Sequence, residues 1–544
     1  MIICSRTVER KSNIVGYSVI IVMSGKSIES RKLPFSVCAS LGFALIFSSF
    51  YCTYVFVARD INYRCFIPEC ENISDTSYNP VWLEEFVPYE KGYPSSCLRF
   101  TSYNNSCSSK NIFKNETAVC ESFVYQREER TIVADFGIFC EENLWKLTLI
   151  GTVSVIGEII NLPFSGILSD RYGREKLMMM SILMGTIVGV TRSFSPNYTI
   201  YAILEFLDTA LSAGMYGAAF VLAMEIVEPE QRDIATLIIC CIYTLGQAIL
   251  GITAWLSPSW RIMLQVLYVP GIIFLLFFFT LPASRMWVLA NSRKEEMDDI
   301  VVQKKTNEIE SIVHENEKPV GEIESQGFWD AISQKVILLR VIHCSFTWIA
   351  NNFIYYGLLL QSVAISEDIY ISFIIGVVVE IPGYIIYYYG NKKFKRRWTM
   401  LVGFVSTGVC CIAVGFIQEE FYWMKLTLFL IGKCCSAVVF ALIYVYTTEM
   451  FPTTSRHTML SIISMIGRLG SMLAPQVPLL AMISTALPLI CFGVIALAAG
   501  VLALLYPETL NTKLPDTIEE AINIGKAPVE LKTNSEKSDI CARL

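Results

Sequence analysis

Long apolar stretches separated by short polar ones dominate the chain. Each apolar run with its polar flanks defines a segment of about 20 residues, the length that a helix needs to cross a bilayer. The pattern therefore predicts an all-α membrane protein with twelve transmembrane helices. The predicted spans are 35–58, 146–168, 177–194, 200–226, 235–256, 263–281, 337–362, 369–389, 399–416, 424–446, 458–480 and 485–506.

Polar stretches divide these spans into two six-helix halves. The regions are an N-terminal segment 1–32, a first half 33–281 that contains a polar loop 59–144, a linker 282–336, a second half 337–506 and a tail 507–544. An even number of spans puts both termini on one side. The basic residues of two short loops mark that side as cytoplasmic, so the polar loop is expected outside. These loop residues are Arg171, Arg174, Lys176, Lys392, Lys393, Lys395, Arg396 and Arg397.

The polar loop carries features of an extracellular segment. Six cysteines there could form disulfides in an oxidising compartment, and six cysteines allow fifteen pairings. They are Cys65, Cys70, Cys97, Cys107, Cys120 and Cys140. Every N-x-S/T site of the chain lies in this loop or in the next loop on the same predicted side, which predicts glycosylation. The sites are Asn72, Asn104, Asn115 and Asn197.

Composition narrows the class of protein. The 544 residues are 53% hydrophobic and only 17% charged, against roughly 25% charged in soluble domains. This excludes a soluble multidomain enzyme, and the net charge of −6 implies no basic surface for nucleic acid. The three histidines are isolated and the 18 cysteines include no C-x-x-C pair, so we predict no metal and no cofactor. The expected partners are the lipid bilayer and a small solute.

A repeat relates the two halves. Residues 225–232 begin with Glu225 and end with Arg232, and residues 449–456 begin with Glu449 and end with Arg456. The two segments have the same acid-to-base spacing and lie 224 positions apart. A weaker counterpart relates residues 169–176 to 390–397. Two pseudo-symmetric halves are the architecture of transporters that rock around a site at the membrane midplane.

Several motifs resemble one transporter family. Residues 166–174, Gly-Ile-Leu-Ser-Asp-Arg-Tyr-Gly-Arg, resemble the G-x-x-x-D-R-x-G-R loop of the major facilitator superfamily. Residues 446–456, 468–475 and 507–520 resemble motifs of its organic cation, carnitine and organic anion transporters. The resemblance covers roughly 33–520 and implies transport without covalent chemistry. Departures are the segment 282–288, which lacks the family's Glu and second Pro, and Glu205, where many relatives carry Arg.

Charges inside the predicted spans are candidate functional residues. Each costs about 2.5 to 3.5 kcal/mol near a helix centre, so burial requires a partner or a wet cavity. Arg468 lies near the midplane of its span and suits a substrate carboxylate. An internal pair with Glu158 or Asp208 is the structural alternative. The resemblance supports a substrate role, because family members that carry anions or carnitine have Arg at this position.

Glu380 is the second candidate charge. It lies in a Glu-Ile-Pro-Gly-Tyr segment that resembles cation and carnitine carriers, and its carboxylate could hold an ammonium group. Lys433 is a further candidate substrate residue, and a structural pair between Glu380 and Lys433 is the alternative. If Arg468 and Glu380 both line the cavity, the natural ligand is a zwitterion. Aromatic rings offer further cation contacts, although packing is an equally good reading of each ring. The candidate rings are Tyr216, Trp348, Tyr355, Tyr356, Tyr444 and Tyr446.

Charged residues at the cytoplasmic helix ends are candidates for gating. Carboxylate and guanidinium groups repeated in both halves can form ion pairs in one state and release them in the other. Ordinary positive-inside anchoring is the alternative. Gly173 allows a tight turn between basic residues. The gating candidates are Asp170, Arg171, Gly173, Arg174, Glu225, Arg232, Glu449 and Arg456.

The sequence thus predicts a multi-pass plasma-membrane carrier with cytoplasmic termini. Its substrates are expected to be small organic cations or carnitine-like zwitterions, moved by alternating access. Two alternatives stay open, an organic anion exchanger on the same fold and a non-transporting membrane receptor or scaffold. A coupling ion, either sodium or a proton, is a further candidate partner, and a single carboxylate within a span would suffice to bind it.

Overall fold

The computed structural model is built mainly of helices. It describes residues 3–5, 18–20, 35–71, 77–90, 93–102, 112–126, 130–227, 231–274, 328–363, 368–452, 456–509, 515 and 517–524. Within these ranges a helix coincides with each of the twelve predicted apolar segments. Nine helices in the described ranges are long and apolar enough to cross a membrane, and Trp260–Ile273 and Leu487–Ala503 are shorter apolar helices. The predicted all-α class is confirmed.

We number the helices of the bundle α1–α12 in chain order. The first six are α1 Phe35–Ser48, α2 Leu144–Tyr172, α3 Arg174–Arg192, α4 Tyr198–Ser212, α5 Arg232–Leu256 and α6 Trp260–Tyr268. The second six are α7 Lys335–Gln361, α8 Ile369–Val378, α9 Arg396–Phe416, α10 Tyr422–Glu449, α11 Arg456–Leu473 and α12 Leu487–Ala503.

Five of these helices continue beyond a local break. Helix α1 continues through a 3-10 turn, Ser49–Thr53, and a last helical turn, Tyr54–Val57. Helices α4, α6 and α8 continue as Gly214–Ile226, Pro270–Phe274 and Glu380–Lys393. Helix α11 continues as the 3-10 segment Ala474–Met482, where Pro475 and Pro478 cannot donate to an α-helical ladder.

The strands are short and pair in twos, all antiparallel. They are β1 Ile3–Ser5, β2 Ser18–Ile20, β3 Tyr63–Cys65, β4 Tyr89–Glu90, β5 Tyr93–Pro94, β6 Leu98–Ser102, β7 Ile112–Val119 and β8 Phe123–Tyr125. The pairs are β1 with β2, β3 with β8, β4 with β5, and β6 with β7. Six of these strands lie between α1 and α2. Short helices outside the bundle are Leu83–Phe86, Ile132–Phe136, Phe328–Ser333 and Ile518–Asn523.

The segment between α1 and α2, here called the disulfide segment, is held by covalent bonds and a small core. Disulfides join Cys65 to Cys120 and Cys97 to Cys140. Cys70 is also disulfide-bonded, and Cys107 lies outside the described ranges. These bonds supplement a small apolar cluster around Ile67, Leu83, Phe86 and Val87, which is too small to order such a segment alone.

The predicted glycosylation sites fall at different places. Asn72 and Asn104 lie outside the part of the chain that the structure describes, and Asn115 lies in β7. Asn197 is the N-cap of α4, where its side-chain oxygen accepts the Ile200 N–H at 2.9 Å. Glycosylation at these four positions stays a prediction.

The two halves meet mainly through α2 against α11 and α5 against α8. Near the end that carries the disulfide segment, the Gln476 amide donates to the Thr152 hydroxyl at 2.7 Å, and the Thr148 hydroxyl donates to the Gln476 carbonyl oxygen at 3.1 Å. Phe56 of the α1 extension packs edge-on against Phe373 of α8, with ring centroids 4.8 Å apart. We call this the disulfide end, and the opposite end, where Ile518–Asn523 docks, the tail end.

Helix α7 packs closely on α11 because Gly470 has no side chain. A Cβ at Gly470 would lie 2.1 Å from the Ile349 carbonyl oxygen, which is backbone and cannot move aside. We therefore expect Gly470→Ala to destabilise the bundle by about 1–3 kcal/mol, the range for overpacking. Thermal unfolding of the detergent-purified protein measures this effect.

The matched control is Gly42→Ala in α1, where a Cβ would meet nothing within 4 Å. Alanine favours helix by up to about 1 kcal/mol over glycine, so this variant should unfold at the wild-type temperature or above it. Equal unfolding temperatures for the two variants would contradict the close α7–α11 contact.

Candidate functional site

An ion pair joins the two halves at the middle of the bundle. Arg468 lies midway along α11 and its extension, and Glu158 lies midway along α2. The Arg468 Nη2 atom is 3.0 Å from Glu158 Oε1, and 11% and 12% of the two side chains are exposed. Arg468 Nη1 also donates to the Tyr356 hydroxyl at 3.3 Å. The internal pair that the sequence left open is therefore formed with Glu158 and not with Asp208.

Aromatic rings from both halves surround this pair. Tyr51 of the α1 extension packs edge-on against Tyr356 of α7 at 6.2 Å, and Phe220 of α4 lies 6.4 Å from Tyr444 of α10. Tyr356, whose hydroxyl accepts from Arg468, connects the ion pair to these rings. Rings and charges thus share one region between the halves.

Further aromatic residues extend this region. Tyr444 packs edge-on against Trp348 at 4.5 Å, and Tyr216 packs edge-on against Tyr243 at 5.4 Å. Tyr51, Tyr216, Phe220 and Tyr444 are half-buried, whereas Trp348 is fully buried and its indole N–H donates to the Thr447 hydroxyl at 2.9 Å. We call Tyr51, Tyr216, Phe220, Tyr356 and Tyr444 the aromatic cage.

Glu380 and Lys433 form a second ion pair, which lies within the second half. Lys433 Nζ is 2.9 Å from Glu380 Oε1, and neither side chain is exposed. The other carboxylate oxygen accepts the Tyr355 hydroxyl at 2.7 Å and the Tyr384 hydroxyl at 3.1 Å. Lys433 Nζ also lies 5.2 Å from the centre of the Tyr355 ring. The structural pair that the sequence left open is present, and Tyr355 belongs to it.

A third charge cluster lies within the first half, around Arg192 at the end of α3. Its guanidinium contacts Glu205 directly and lies 3.2 Å from Asp208 Oδ2. It also donates to the Thr53 hydroxyl at 3.1 Å, and the Tyr268 hydroxyl donates to Asp208 at 2.8 Å. These contacts connect α1, α3, α4 and α6.

The sequence interpretation missed Arg192, although a signal was present. Glu205 and Asp208 are three residues apart on α4 and share one helix face. Two carboxylates on one buried face require a base from a neighbouring helix. Arg192 lies in the preceding helix, connected to α4 by a short turn, and its side chain is fully buried. Arg192 lies within the predicted span 177–194, but it was not among the candidate charges named from the sequence.

The gating candidates lie at the tail end, where the described side chains make mostly local contacts. Glu449 pairs with Arg396 across α10 and α9, and accepts the Thr509 hydroxyl at 2.8 Å. Arg456 donates to the carbonyl oxygens of Phe451 at 3.2 Å and Pro515 at 3.3 Å.

The first half's gating candidates are described less fully. Arg174 donates to the Ser169 carbonyl oxygen at 3.4 Å, and Arg171 lies 5.4 Å from the Tyr172 ring centre. Gly173 has φ +98°, a conformation that L side chains rarely adopt. The side chains of Asp170, Glu225 and Arg232 lie outside what the structure describes.

Tyr446 lies away from the aromatic cage. Its ring is fully buried near the tail end, where it packs against Tyr506 at 5.1 Å and its hydroxyl donates to the Pro507 carbonyl oxygen. Of the predicted substrate residues, the structure thus brings together Arg468, Tyr356, Tyr444, Trp348 and Tyr216. Glu380, Lys433 and Tyr355 form a neighbouring buried group, linked to the cage by the 5.3 Å contact of the Tyr355 and Tyr356 rings.

Known proteins resemble this chain along most of its length. The sequence model of the Major Facilitator Superfamily matches residues 143–475 and 336–535. The organic cation transporter protein of Drosophila melanogaster is 29% identical over 500 residues, which cover 89% of this chain and 90% of that protein. Organic cation/carnitine transporter 2 of Homo sapiens is 26% identical over 495 residues, which cover 86% and 88%.

Solved structures share the fold. The crystal structure of a D-xylose-proton symporter has a TM-score of 0.58 at 13% identity, and covers 88% of this chain and 100% of that one. A partially occluded inward-open structure of the xylose transporter XylE from E. coli also has a TM-score of 0.58, at 14% identity and the same coverage. At such low identity the likeness concerns the fold alone.

The Arg192 cluster contains two carboxylates for one guanidinium. Substitution of the guanidinium should therefore destabilise the protein more than substitution of one carboxylate. Arg192→Met would leave two carboxylates buried without their base, and removing one partner of a buried pair costs about 3–5 kcal/mol. Asp208→Asn removes the excess carboxylate and keeps an acceptor for the Tyr268 hydroxyl, so we expect a much smaller loss. Thermal unfolding and cell-surface yield measure both. If the two variants were equally stable, the charge balance inferred for this cluster would be wrong.

Proposed function

Because the chain belongs to the major facilitator superfamily, we propose that it is a membrane carrier that moves small organic cations or carnitine-like zwitterions by alternating access. Relatives named for organic cation and carnitine transport match it over nearly their whole length. The carrier performs no covalent chemistry. Its substrate is held by charge and by aromatic surfaces, and is released when the halves rearrange.

One observation carries this proposal, the Arg468–Glu158 pair between the halves, whose side chains keep 11% and 12% of their surface exposed. A charge pair that both halves share, at mid-depth and beside aromatic rings, is the arrangement that a rocking carrier needs at its substrate site. A quaternary ammonium group over such rings gains about 0.5 to 2 kcal/mol. Arg468 supplies the group that binds a carboxylate.

The organic anion exchanger is the second candidate, and one contact favours it. That function requires Glu380 to be neutralised by Lys433, and the two side chains are 2.9 Å apart. It also requires Arg468 to be free for the anion, whereas Glu158 pairs with Arg468. A Glu380→Gln variant with full activity towards an organic anion would favour this candidate.

The proposed topology places the disulfide segment outside the cell and both termini in the cytoplasm. Two disulfides in that segment are compatible with an oxidising compartment, and the basic loops follow the positive-inside rule. With the four N-x-S/T sites, these features support a plasma-membrane location for the carrier. The two six-helix halves, 33–281 and 337–506, are its moving units, joined by the linker 282–336.

We also propose that the tail-end charges control opening on the cytoplasmic side. The Glu449–Arg396 pair joins α9 to α10, and Thr509 connects Glu449 to the segment after α12. An ion pair at the helix ends that forms in one state of the carrier and breaks in the other gives the two states different free energies. Alternating access requires such a difference. The same role is proposed for Asp170, Arg171, Gly173, Arg174, Glu225, Arg232 and Arg456.

Arg468→Ala tests the substrate class. In cells that express the wild type, we expect saturable uptake of labelled carnitine, weaker uptake of a plain organic cation, and little uptake of an organic dicarboxylate. Without Arg468, carnitine uptake should fall by about tenfold or more, because a charge-assisted pair contributes at least about 1.4 kcal/mol. Loss of plain-cation uptake with carnitine uptake unchanged would contradict the assignment. Absence of saturable uptake despite surface expression would favour a receptor or scaffold.

Glu449→Gln tests gating. Glu449 lies in the last turn of α10, more than one turn beyond Tyr444 of the aromatic cage, and it contacts Arg396 and Thr509, so substrate affinity should change little. We expect the maximal uptake rate to fall about fivefold, a larger change than that in KM, because a conformational step then limits turnover. Glu420→Gln, an exposed carboxylate in the 3-10 turn Glu419–Phe421 just before α10, is the control. A raised KM with an unchanged maximal rate would refute the gating role.

A further inference from the structure

The two halves carry equivalent carboxylates at mid-depth. The repeat that relates Glu225 to Glu449 has an offset of 224 positions, and Glu158 and Glu380 lie 222 positions apart. Glu158 lies on α2 and Glu380 begins the second part of α8, the second helix of each half. Because the offset is nearly the same and each carboxylate lies near the middle of its helix, the two carboxylates lie at equivalent depths in the two halves.

Their partners do not correspond. Glu380 is neutralised within its own half by Lys433 of α10. The position 224 residues before Lys433 is Thr209 of α4, which carries no charge and donates its hydroxyl to the Glu205 carbonyl oxygen at 3.3 Å. The first half therefore offers Glu158 no base at the equivalent position, and Glu158 pairs across the interface with Arg468.

The two pairs also differ in access. Glu380 and Lys433 are fully buried, and Glu380 has two tyrosine hydroxyl groups on one oxygen and the ammonium on the other. Reaching it would require breaking three contacts in a dry environment, which is costly. Glu158 keeps 12% of its side chain exposed and pairs with Arg468 of the opposite half. Its carboxylate becomes available whenever the halves separate at this level.

We infer that Glu158, and not Glu380, receives the ammonium group of the substrate, while Arg468 of the same pair receives its carboxylate. The inference rests on the proposed carrier function and specifies its substrate class as zwitterions. A substrate that enters between the halves separates two opposite charges. A zwitterion supplies a new partner to each residue. Its carboxylate pairs with Arg468, and its ammonium group lies against Glu158 and the aromatic cage.

Singly charged compounds cannot do the same. A plain cation would satisfy Glu158 and leave Arg468 without its partner, and an anion would do the reverse. A charge left unpaired at this depth is penalised. A binding site gains specificity when a competing ligand leaves one of its charges without a partner. The Glu158–Arg468 pair thus selects for substrates that carry both charges.

Three compounds of one shape test the inference. The zwitterion is trimethylammonio-butyrate, the cation is butyltrimethylammonium, and the anion is the same butyrate with a tert-butyl group in place of trimethylammonium. Uptake of each labelled compound is measured for the full-length wild type and for Glu158→Gln and Arg468→Gln, normalised to surface expression. Glu121→Gln, an exposed carboxylate of the disulfide segment, controls for the substitution itself.

The variants should change selectivity in opposite directions. For Glu158→Gln we expect zwitterion uptake to fall by about tenfold or more, the loss of one charge pair, and anion uptake to rise above wild type because Arg468 is no longer neutralised. For Arg468→Gln we expect the same fall for the zwitterion and a rise for the cation. Glu158→Asp, which keeps the charge, should keep the zwitterion preference.

Two further outcomes distinguish a substrate-binding role of the Glu158–Arg468 pair from a purely structural one. If the pair only braces α2 against α11, the double variant Glu158→Gln/Arg468→Gln should restore wild-type zwitterion uptake, and that result would overturn the inference. Zwitterion uptake by Glu158→Gln within about twofold of wild type, below 0.5 kcal/mol, would overturn it as well and leave the carrier function intact. If the surface-expressed wild type takes up none of the three compounds, the inference and the proposed function both fail.

Discussion

The cost of charge inside a bilayer governs how this bundle is assembled. An ionised side chain near a helix centre is unfavourable unless a partner or water replaces its hydration. The described helices carry seven such groups at depth, and the structure gathers them into three clusters around Arg192, Lys433 and Arg468. Each cluster joins different helices, so the requirement to pair charges also fixes which helices are neighbours.

Two of the clusters stabilise a half and the third connects the halves. The Arg192 cluster holds α1, α3, α4 and α6 together, and the Lys433–Glu380 pair holds α8 to α10 with Tyr355 of α7. All of these side chains are fully or nearly fully buried. Arg468 and Glu158 are the partly exposed pair, and they come from opposite halves. The ion pairs within each half can stay intact while the halves move, whereas the pair between the halves can separate. This arrangement suits a carrier whose halves move as units.

Much of the architecture could be predicted from the sequence, because hydrophobic length and period are local properties. Each predicted span coincides with a helix in the described ranges. The candidate charges at depth could also be identified, because a charged residue within an apolar run is visible in the sequence even when its partner is unknown. Arg192 was not recognised, because a base in the last turn of a helix reads as an ordinary polar end until α4 is packed against it.

The sequence by itself determined the class of protein, the apolar segments that form helices, and the small set of charges that must be compensated. Only the tertiary structure decided the pairing. Six cysteines allow fifteen arrangements and several acids compete for each base, so sequence spacing cannot choose among them. The choice depends on which helix faces meet. Equivalent carboxylates in the two halves, Glu158 and Glu380, acquire different partners because a base faces only Glu380 at the corresponding position, and that difference lies in packing between helices that are far apart in the chain.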